Sequence, residues 1–325
     1  MQAVFWAETA ERAFVAFGEA PAPQLNVDTV LIQVELVSIE AIDLVKLALY
    51  RRGIGQSPNG CVIGCQASGI VVATGPHVTR FRRGDRVVAY HSHGSHAELF
   101  AAPEASTWHL PAGIDPAIAA AAPFTLAATH GTLFARGGLN AGETVLINHA
   151  TSSLGIIAAQ LAIAAGASVI GIARDITRAD LIANLGLHHV LSAERDDVFA
   201  RCLDLTDGKG ADFLFDVSAG ERFADLARLV KPNGRYAAVS AAEGLPRPAY
   251  GMEGAQSPNI IPFGIMPKAP MDDLETHAEV SAMLERVAKG EICLPIEHEF
   301  ALREANEAYE FILTGKPFGH VVMRP

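Results

Sequence analysis

The hexapeptide Ala150-Thr151-Ser152-Ser153-Leu154-Gly155 lies between an apolar run, TVLIN, and a small-residue run, IIAAQLAIAAG. A strand that turns directly into a helix offers the free N–H groups of the first helical turn to an anion, which is how many proteins hold the pyrophosphate of a dinucleotide. In the usual Gly-x-Gly-x-x-Gly turn the first glycine permits the tight turn. The second lets the backbone approach the phosphates, and the third lets helix and strand pack closely. Those three places hold Ala150, Ser152 and Gly155 here, so only the packing glycine is retained. Ala150 serves if its φ stays negative. Ser152 adds bulk near the phosphates, but Thr151, Ser152 and Ser153 also bring hydroxyls that can donate to them. A ligand-free strand–helix turn would read the same way, so the turn alone leaves both readings open.

The end of the next apolar run, SVIGIA, favours the ligand. An acid about 20 residues past the turn binds the ribose hydroxyls of NAD, whereas an arginine there meets the 2′-phosphate of NADP. The sequence has Arg174, Asp175 and Arg178 at that place. Arg174 follows the strand directly, and guanidinium suits phosphate, so NADPH is expected over NADH. Asp175 can instead cap the helix that follows, and both arginines are also compatible with a solvated helix start. A second cluster, His91, His93 and His96 in YHSHGSHAEL, contains zinc-ligand residue types. Clustered histidines on so short a stretch more often form a loop rim, so it reads as one bordering a substrate cleft rather than as a metal site.

These residues need elements to hold them. Residues 1 to about 110 carry short β-branched runs, DTVLIQVELVSI, CVIGCQASGIVVATG and GDRVVAYH, separated by Pro, Gly and Asn, as in an irregular β domain. An alanine-rich helical stretch begins near Ile114. Strands and helices then alternate: TVLIN, LGIIAAQLAIAAG, SVIGIA, RADLIANLG, DFLFDVS, ERFADLARLV and, after a turn KPNG, GRYAAVS. That alternation predicts a doubly wound parallel sheet. NIIPFGIM suits a last strand, Asp272 and Asp273 suit a cap for the helix after them, and the tail reads strand, helix, strand.

Half of the 325 residues are hydrophobic and the formal net charge is −11, which opposes any general affinity for nucleic acid or anionic lipid. No apolar run is read as reaching the roughly 18 residues of a membrane span, and the N-terminus has no export-signal layout. Four sparse cysteines fit a reduced cytoplasm without disulfides.

Taken in order, TGPHVTRFRRGDRVVAY, GETVLINHATSSLGIIAAQLAIAAGASVIGIAR, KPNGRYAAVS and AYEFILTGKPFGHVVMRP resemble the landmarks of the medium-chain dehydrogenase/reductase superfamily. The resemblance covers essentially the whole chain. It implies an α/β fold, with a GroES-like β-rich catalytic domain at 1–118 and 268–325 and a Rossmann domain at 119–267. It also implies hydride transfer with a nicotinamide cofactor and a homodimer formed through the Rossmann domain. Zinc-dependent members place cysteine where this chain has Glu40, and histidine and glutamate where it has Cys65 and Gln66. The segment expected to supply a third ligand, APFTLAATHG, has no cysteine, and CVIGC alone cannot make a Cys₄ lobe. The likeness is therefore to the zinc-free, quinone oxidoreductase-like branch. Its substrates would be small molecules activated by conjugation: quinones, enones, enals or enoyl thioesters. An enoyl-thioester reductase, with Arg51 and Arg52 as a phosphate patch, and a non-catalytic NADPH binder are the alternatives.

The resemblance also assigns site residues. Glu40 stands where many relatives have asparagine, Asp43 at an acidic position that is also readable as a structural hydrogen bonder, and Tyr50 about one residue from a proton-donating tyrosine. Around the cofactor it implicates Thr129, Val217, Ser218, Ser240, Phe263 and Phe318 besides the turn and the arginines.

Overall fold

The computed structural model describes the chain apart from residues 9–12, 52–59, 175, 178, 188, 219–221, 240–258, 262–273 and 316. Its backbone contacts divide it into two units, Met1–Ala127 with Ala269–Pro325, and Ala128–Lys268.

The first unit opens with an antiparallel hairpin of β1 (Gln2–Glu8) and β2 (Ala13–Glu19). The long β3 (Thr29–Ser38) buries Val30, Ile32, Val34 and Leu36 on one face, as its period-two alternation requires. After α1 (Ala41–Arg51) come β4 (Gln66–Thr74), β5 (Arg86–Tyr90), β6 (Leu99–Pro103) and β7 (Thr107–His109). The core between them gathers Val4, Trp6, Ile32, Phe100, Tyr309 and Met323.

Helix α2 (Pro116–His130) starts with proline in its first turn, where the missing N–H costs nothing, and Asp115 accepts from the Ala117 N–H at 2.7 Å. It continues as a π turn over Gly131–Arg136. This corrects one expectation. The helix Pro116–Arg136 is long and apolar enough to cross a membrane, but 78% of its most apolar 18-residue window is buried inside the protein, so its hydrophobicity serves the core.

In the second unit, β8 (Thr144–Asn148), α3 (Ser153–Ala164), β9 (Ser168–Ala173), α4 (Ala179–Ala183), β10 (His189–Ser192), α5 (Val198–Leu205), β11 (Ala211–Asp216), α6 (Phe223–Ala227), β12 (Val230–Ala238) and β13 (Asn259–Ile261) follow one another. The strands form one parallel sheet in the order β10-β9-β8-β11-β12-β13. This is the expected doubly wound sheet, and its order reverses between β8 and β11, where such folds open a ligand crevice. Strand β10 and helix α5 were not expected, since HHVLS is too short to show a period. Nor does KPNG form a turn before a strand. It lies within β12, where the register jumps from Ala211↔Val230 to Phe213↔Arg235 and Asn233 takes a positive φ of 62°.

The chain then returns to the first unit through α7 (Leu274–Ala288), β14 (Ile296–Ala301), α8 (Ala305–Gly315) and β15 (His320–Arg324). The expected caps Asp272 and Asp273 lie outside the described residues. His277 fastens α7 to the first unit. Its ring stacks on Trp108 at 5.0 Å, and its carbonyl accepts from the Trp108 indole at 3.0 Å. Strand β15 runs beside β14 and antiparallel to β3, with Val322 opposite Ser38.

Candidate functional site

In the second unit the phosphate-type turn has a defined geometry. His149, not a glycine, adopts the positive φ of 61°, and Ala150 is not among the positive-φ residues. The Ala150 N–H donates to Ile172 O at 2.9 Å, which ties the turn to the neighbouring strand. Ser152 is the N-cap of α3: its Oγ accepts from the Gly155 N–H at 3.2 Å and donates to His149 O at 2.8 Å. The Ser152 hydroxyl proton is thus used inside the turn, which corrects its expected role as a phosphate donor. A Cβ on Gly155 would lie 2.3 Å from His149 O and 2.9 Å from Ala150 Cα, so only glycine lets the helix sit this close. Ala150 and Leu154 are buried, whereas Thr151 and Ser153 are partly open. The first-turn N–H groups and these two side chains fit a pyrophosphate.

Arg174 follows β9 directly and is exposed, as a 2′-phosphate ligand must be. Arg178, Asp175, Ser240 and Phe263 lie outside the described residues. Val217 and Ser218 leave the carboxyl end of β11, next to a polar cluster that sequence reasoning missed. Asp216 Oδ1 accepts from Asn148 Nδ2 at 2.8 Å and from the Ser218 N–H at 3.1 Å, and its Oδ2 accepts from the Tyr236 hydroxyl. Asn148 and Asp216 are register partners across the switch point. A polar residue closing each of two apolar strands was the available signal. Thr129 is fully buried, and its hydroxyl finds no partner among the described residues.

In the first unit the structure builds a buried acid around Glu40, which is 1% exposed. Its Oε1 accepts from Ser38 Oγ at 2.6 Å and Gln66 Nε2 at 2.7 Å, and its Oε2 accepts from Thr125 Oγ1 at 3.0 Å. Pro123 lies inside α2, and the Phe124 N–H beside it donates to Gln66 Oε1 at 2.9 Å. That bond orients the Gln66 amide, so its NH₂ faces Glu40. Burial raises the Glu40 carboxyl to about 8. The Ser38, Thr125 and Gln66 hydrogen bonds oppose the rise, and the neighbouring Asp43 charge adds to it. His320, also 1% exposed, places Nδ1 3.8 Å from Glu40 Oε1, and burial lowers its imidazole to about 3. His320, Ser38 and Thr125 were not expected. A lone imidazole in the apolar run HVVM was the one legible hint.

Of the three residues expected to act catalytically, the structure brings Asp43 against Glu40 but leaves Tyr50 apart. Asp43 Oδ2 accepts from the Glu40 N–H at 3.0 Å and closes the first turn of α1, while Oδ1 has no partner among the described residues. Burial raises the Asp43 carboxyl to about 6 against the pull of Lys46. Tyr50 lies near the far end of α1, roughly 15 Å along the helix axis from Glu40. Its ring meets Trp6 edge-on at 5.4 Å, so it is a packing residue of the core. Phe318 is buried just before β15.

The histidine cluster also separates. His96 is fully buried and its Nε2 meets the Tyr309 hydroxyl at 3.3 Å, while the rings of His91 and His93 pair with each other at 5.0 Å. Among the described residues no group of three His, Cys, Asp or Glu side chains converges to hold a metal. At the superfamily's zinc position Glu40 already accepts three hydrogen bonds, Gln66 bridges it to the Phe124 N–H, and burial keeps the Cys65 thiol protonated. These residues do not fit a zinc ion. Arg51 pairs with Glu310 at 2.8 Å, and Arg52 lies outside the described residues.

Comparison with known proteins agrees with this architecture. A family model described as alcohol dehydrogenase GroES-like domain matches residues 26–112, and one described as zinc-binding dehydrogenase matches 153–257. A quinone oxidoreductase of Pseudomonas aeruginosa is 30% identical over 85% of this chain and 86% of its own length. Erythronolide synthase of Saccharopolyspora erythraea is 31% identical over 68% of this chain and 6% of that protein. A mycobacterial protein solved in complex with NADPH superposes with a TM-score of 0.88 at 26% identity, covering all of both chains. The chain belongs to the medium-chain dehydrogenase/reductase superfamily of oxidoreductases, among relatives that are quinone oxidoreductase-like.

Proposed function

We propose that this oxidoreductase transfers hydride from NADPH to a quinone or an α,β-unsaturated carbonyl and works without zinc. The observation that carries this reading is the Glu40 carboxyl, a hydrogen-bonded acid at the position where metal-dependent relatives place a zinc ligand. Oxidising a simple alcohol means removing a proton of intrinsic pKa about 16, for which a bound metal is the usual device. A quinone or enal needs no such help, because conjugation already stabilises the developing oxyanion or enolate. The NADPH assignment is supported by the exposed Arg174 after β9, by the turn at 149–155, and by the mycobacterial relative solved with that cofactor.

When bound, NADPH supplies the hydride. The chain's own work is then to hold the pyrophosphate on the α3 N-terminus, to receive the 2′-phosphate at Arg174 and to orient the substrate. The test pairs NADPH with 1,4-benzoquinone, 9,10-phenanthrenequinone and 2-hexenal, and NADP⁺ with a series of primary and secondary alcohols. We expect turnover of the conjugated acceptors by protein whose metal content is far below equimolar. Turnover of the alcohols alone, lost on chelation together with zinc, would overturn the proposal. The likeness to erythronolide synthase favours a second reading, reduction of an enoyl thioester. The pairing of Arg51 with Glu310 weakens it, and a crotonyl thioester added to the panel decides between the two.

A further inference from the structure

The strand order of the second unit separates the two halves of a dinucleotide. Arg174 follows β9 and the turn at 149–155 follows β8, so the 2′-phosphate and the pyrophosphate are provided for on that side of the sheet. The rest of the crevice lies over the carboxyl ends of β11 and β12, beyond the switch point. A cofactor held in this way turns its nicotinamide half toward the residues that close those two strands.

Asp216 closes β11 and is fully buried. Its Oδ1 accepts from Asn148 Nδ2 at 2.8 Å, from the Ser218 N–H at 3.1 Å and from Ser218 Oγ at 3.5 Å, and its Oδ2 accepts from the Tyr236 hydroxyl. Asn148 leads straight into the phosphate-type turn and Ser218 lies on the exit from β11, so one carboxyl ties together two loops at the crevice. Tyr236 reaches it from β12, with its ring stacked on Phe223 at 4.6 Å. Burial, and then the Asp216 charge, hold the Tyr236 phenol well above its usual range, so it remains a donor.

These partners bear on the charge of Asp216. The Asn148 amide and the Ser218 N–H can only donate, and a carboxylate satisfies each donor in the set. Every hydrogen-bond partner of Asp216 among the described residues is neutral. The burial of that charge is therefore offset by dipoles alone, and its field extends into the crevice. An asparagine would offer the same oxygen to Asn148 and Ser218, and an N–H to the tyrosine oxygen, without the cost of a buried charge. The network alone does not require an acid.

We propose that Asp216 is the counter-charge of the oxidised nicotinamide, favouring the cationic form of the cofactor over the neutral one. This rests on the NADPH reading above. Hydride leaves NADPH as hydrogen with its electron pair and goes to the acceptor, and NADP⁺ keeps the positive charge. A buried anion attracts that charge and has little effect on the neutral ring, so it makes the bound cofactor the stronger hydride donor. Asp216 acts through its field and through the loops it ties, and is a positioning residue.

The test is fluorescence or calorimetric titration of wild type, Asp216→Asn and Tyr236→Phe with NADP⁺ and with NADPH. Asp216→Asn keeps the hydrogen bonds and removes the charge. Its Kd for NADP⁺ should rise at least roughly fivefold, while that for NADPH stays within about twofold. Tyr236→Phe removes a donor and keeps the charge, so the ratio of the two constants should move the other way, by about twofold toward NADP⁺. A carboxyl that only holds the loops predicts equal losses for both forms. Equal losses in Asp216→Asn, or a ratio in Tyr236→Phe that is unmoved or moves toward NADPH, would overturn the proposal. Should Asp216→Asn fail to fold, Tyr236→Phe decides by itself. Wild-type protein that binds neither form would overturn the cofactor reading and this inference with it, a result distinct from any change in the ratio.

Discussion

In the Rossmann unit the groups that would meet a ligand are backbone N–H groups, and they are held by the absence of a side chain at Gly155 and the cap at Ser152. In the GroES-like unit side chains from β3, β4 and α2 donate hydrogen bonds to a carboxyl with almost no access to water, and His320 of β15 lies beside it without a hydrogen bond. The first arrangement tolerates changes of residue type wherever the backbone path survives, as Ala150 and Ser152 show. The second depends on residues far apart in the chain keeping one buried carboxyl hydrogen-bonded. The two regions should therefore fail in different ways.

The sharpest break is Gly155→Val. Its Cβ would sit 2.3 Å from His149 O and push α3 away from β8. NADPH affinity should fall by roughly 100-fold or more, the scale of an overpacked core position. Fluorescence titration checks this, and wild-type affinity would show that the turn is not the phosphate site.

Glu40→Gln tests the other region through stability. The Glu40 carboxyl titrates at about 8 in the folded protein against an ordinary value of 4.5. The unfolded chain therefore loses this proton first. The contribution of the protonated acid is complete below about pH 4.5 and is lost as pH rises through about 8, amounting to about 3 kcal/mol by pH 7. The variant has no such loss, so its stability relative to wild type should grow between pH 5 and pH 8. Urea melts across that range measure the difference, and parallel curves would mean that the buried carboxyl is not protonated.

Arg174→Ala should raise the KM for NADPH roughly tenfold and leave that for NADH nearly unchanged, because only a charge-assisted phosphate contact is removed. Equal effects on both cofactors would assign Arg174 to the surface. The smallest effect belongs to Ser152→Gly. The hydroxyl works within the turn, and glycine at an N-cap costs only a few tenths of a kcal/mol, so NADPH affinity should stay within about twofold. A large loss there would mean that the Ser152 hydroxyl turns outward to the phosphate when the cofactor binds.

The parallel sheet, the turn at 150–155 and the place of Arg174 were legible along the chain, because each depends on neighbours within one strand–turn–helix unit. Apolar runs of five or six residues, a packing glycine and a residue directly after a strand all leave local marks. Strand β10 and the bulge in β12 were not legible. Four residues show no period, and Lys-Pro-Asn-Gly reads as a turn until a neighbouring strand pairs across it.

The acid site divides along the same line. Glu40 and Gln66 were singled out by position, but their meaning came from partners far away in the chain. Thr125 lies 85 residues and Gln66 26 residues from Glu40, and His320 arrives on the last strand. Local sequence determined most of the elements and the dinucleotide-type turn, because those follow from short-range periodicity and residue chemistry, while the replacement of metal-ligand residue types was legible through the family resemblance. Only the tertiary structure decided that Glu40 is a buried acid accepting three hydrogen bonds, that Ser152 is a cap, that Tyr50 packs in the core and that the three histidines part company. Burial and long-range hydrogen bonding set a side chain's protonation and partners, and neither is written in the residues next to it.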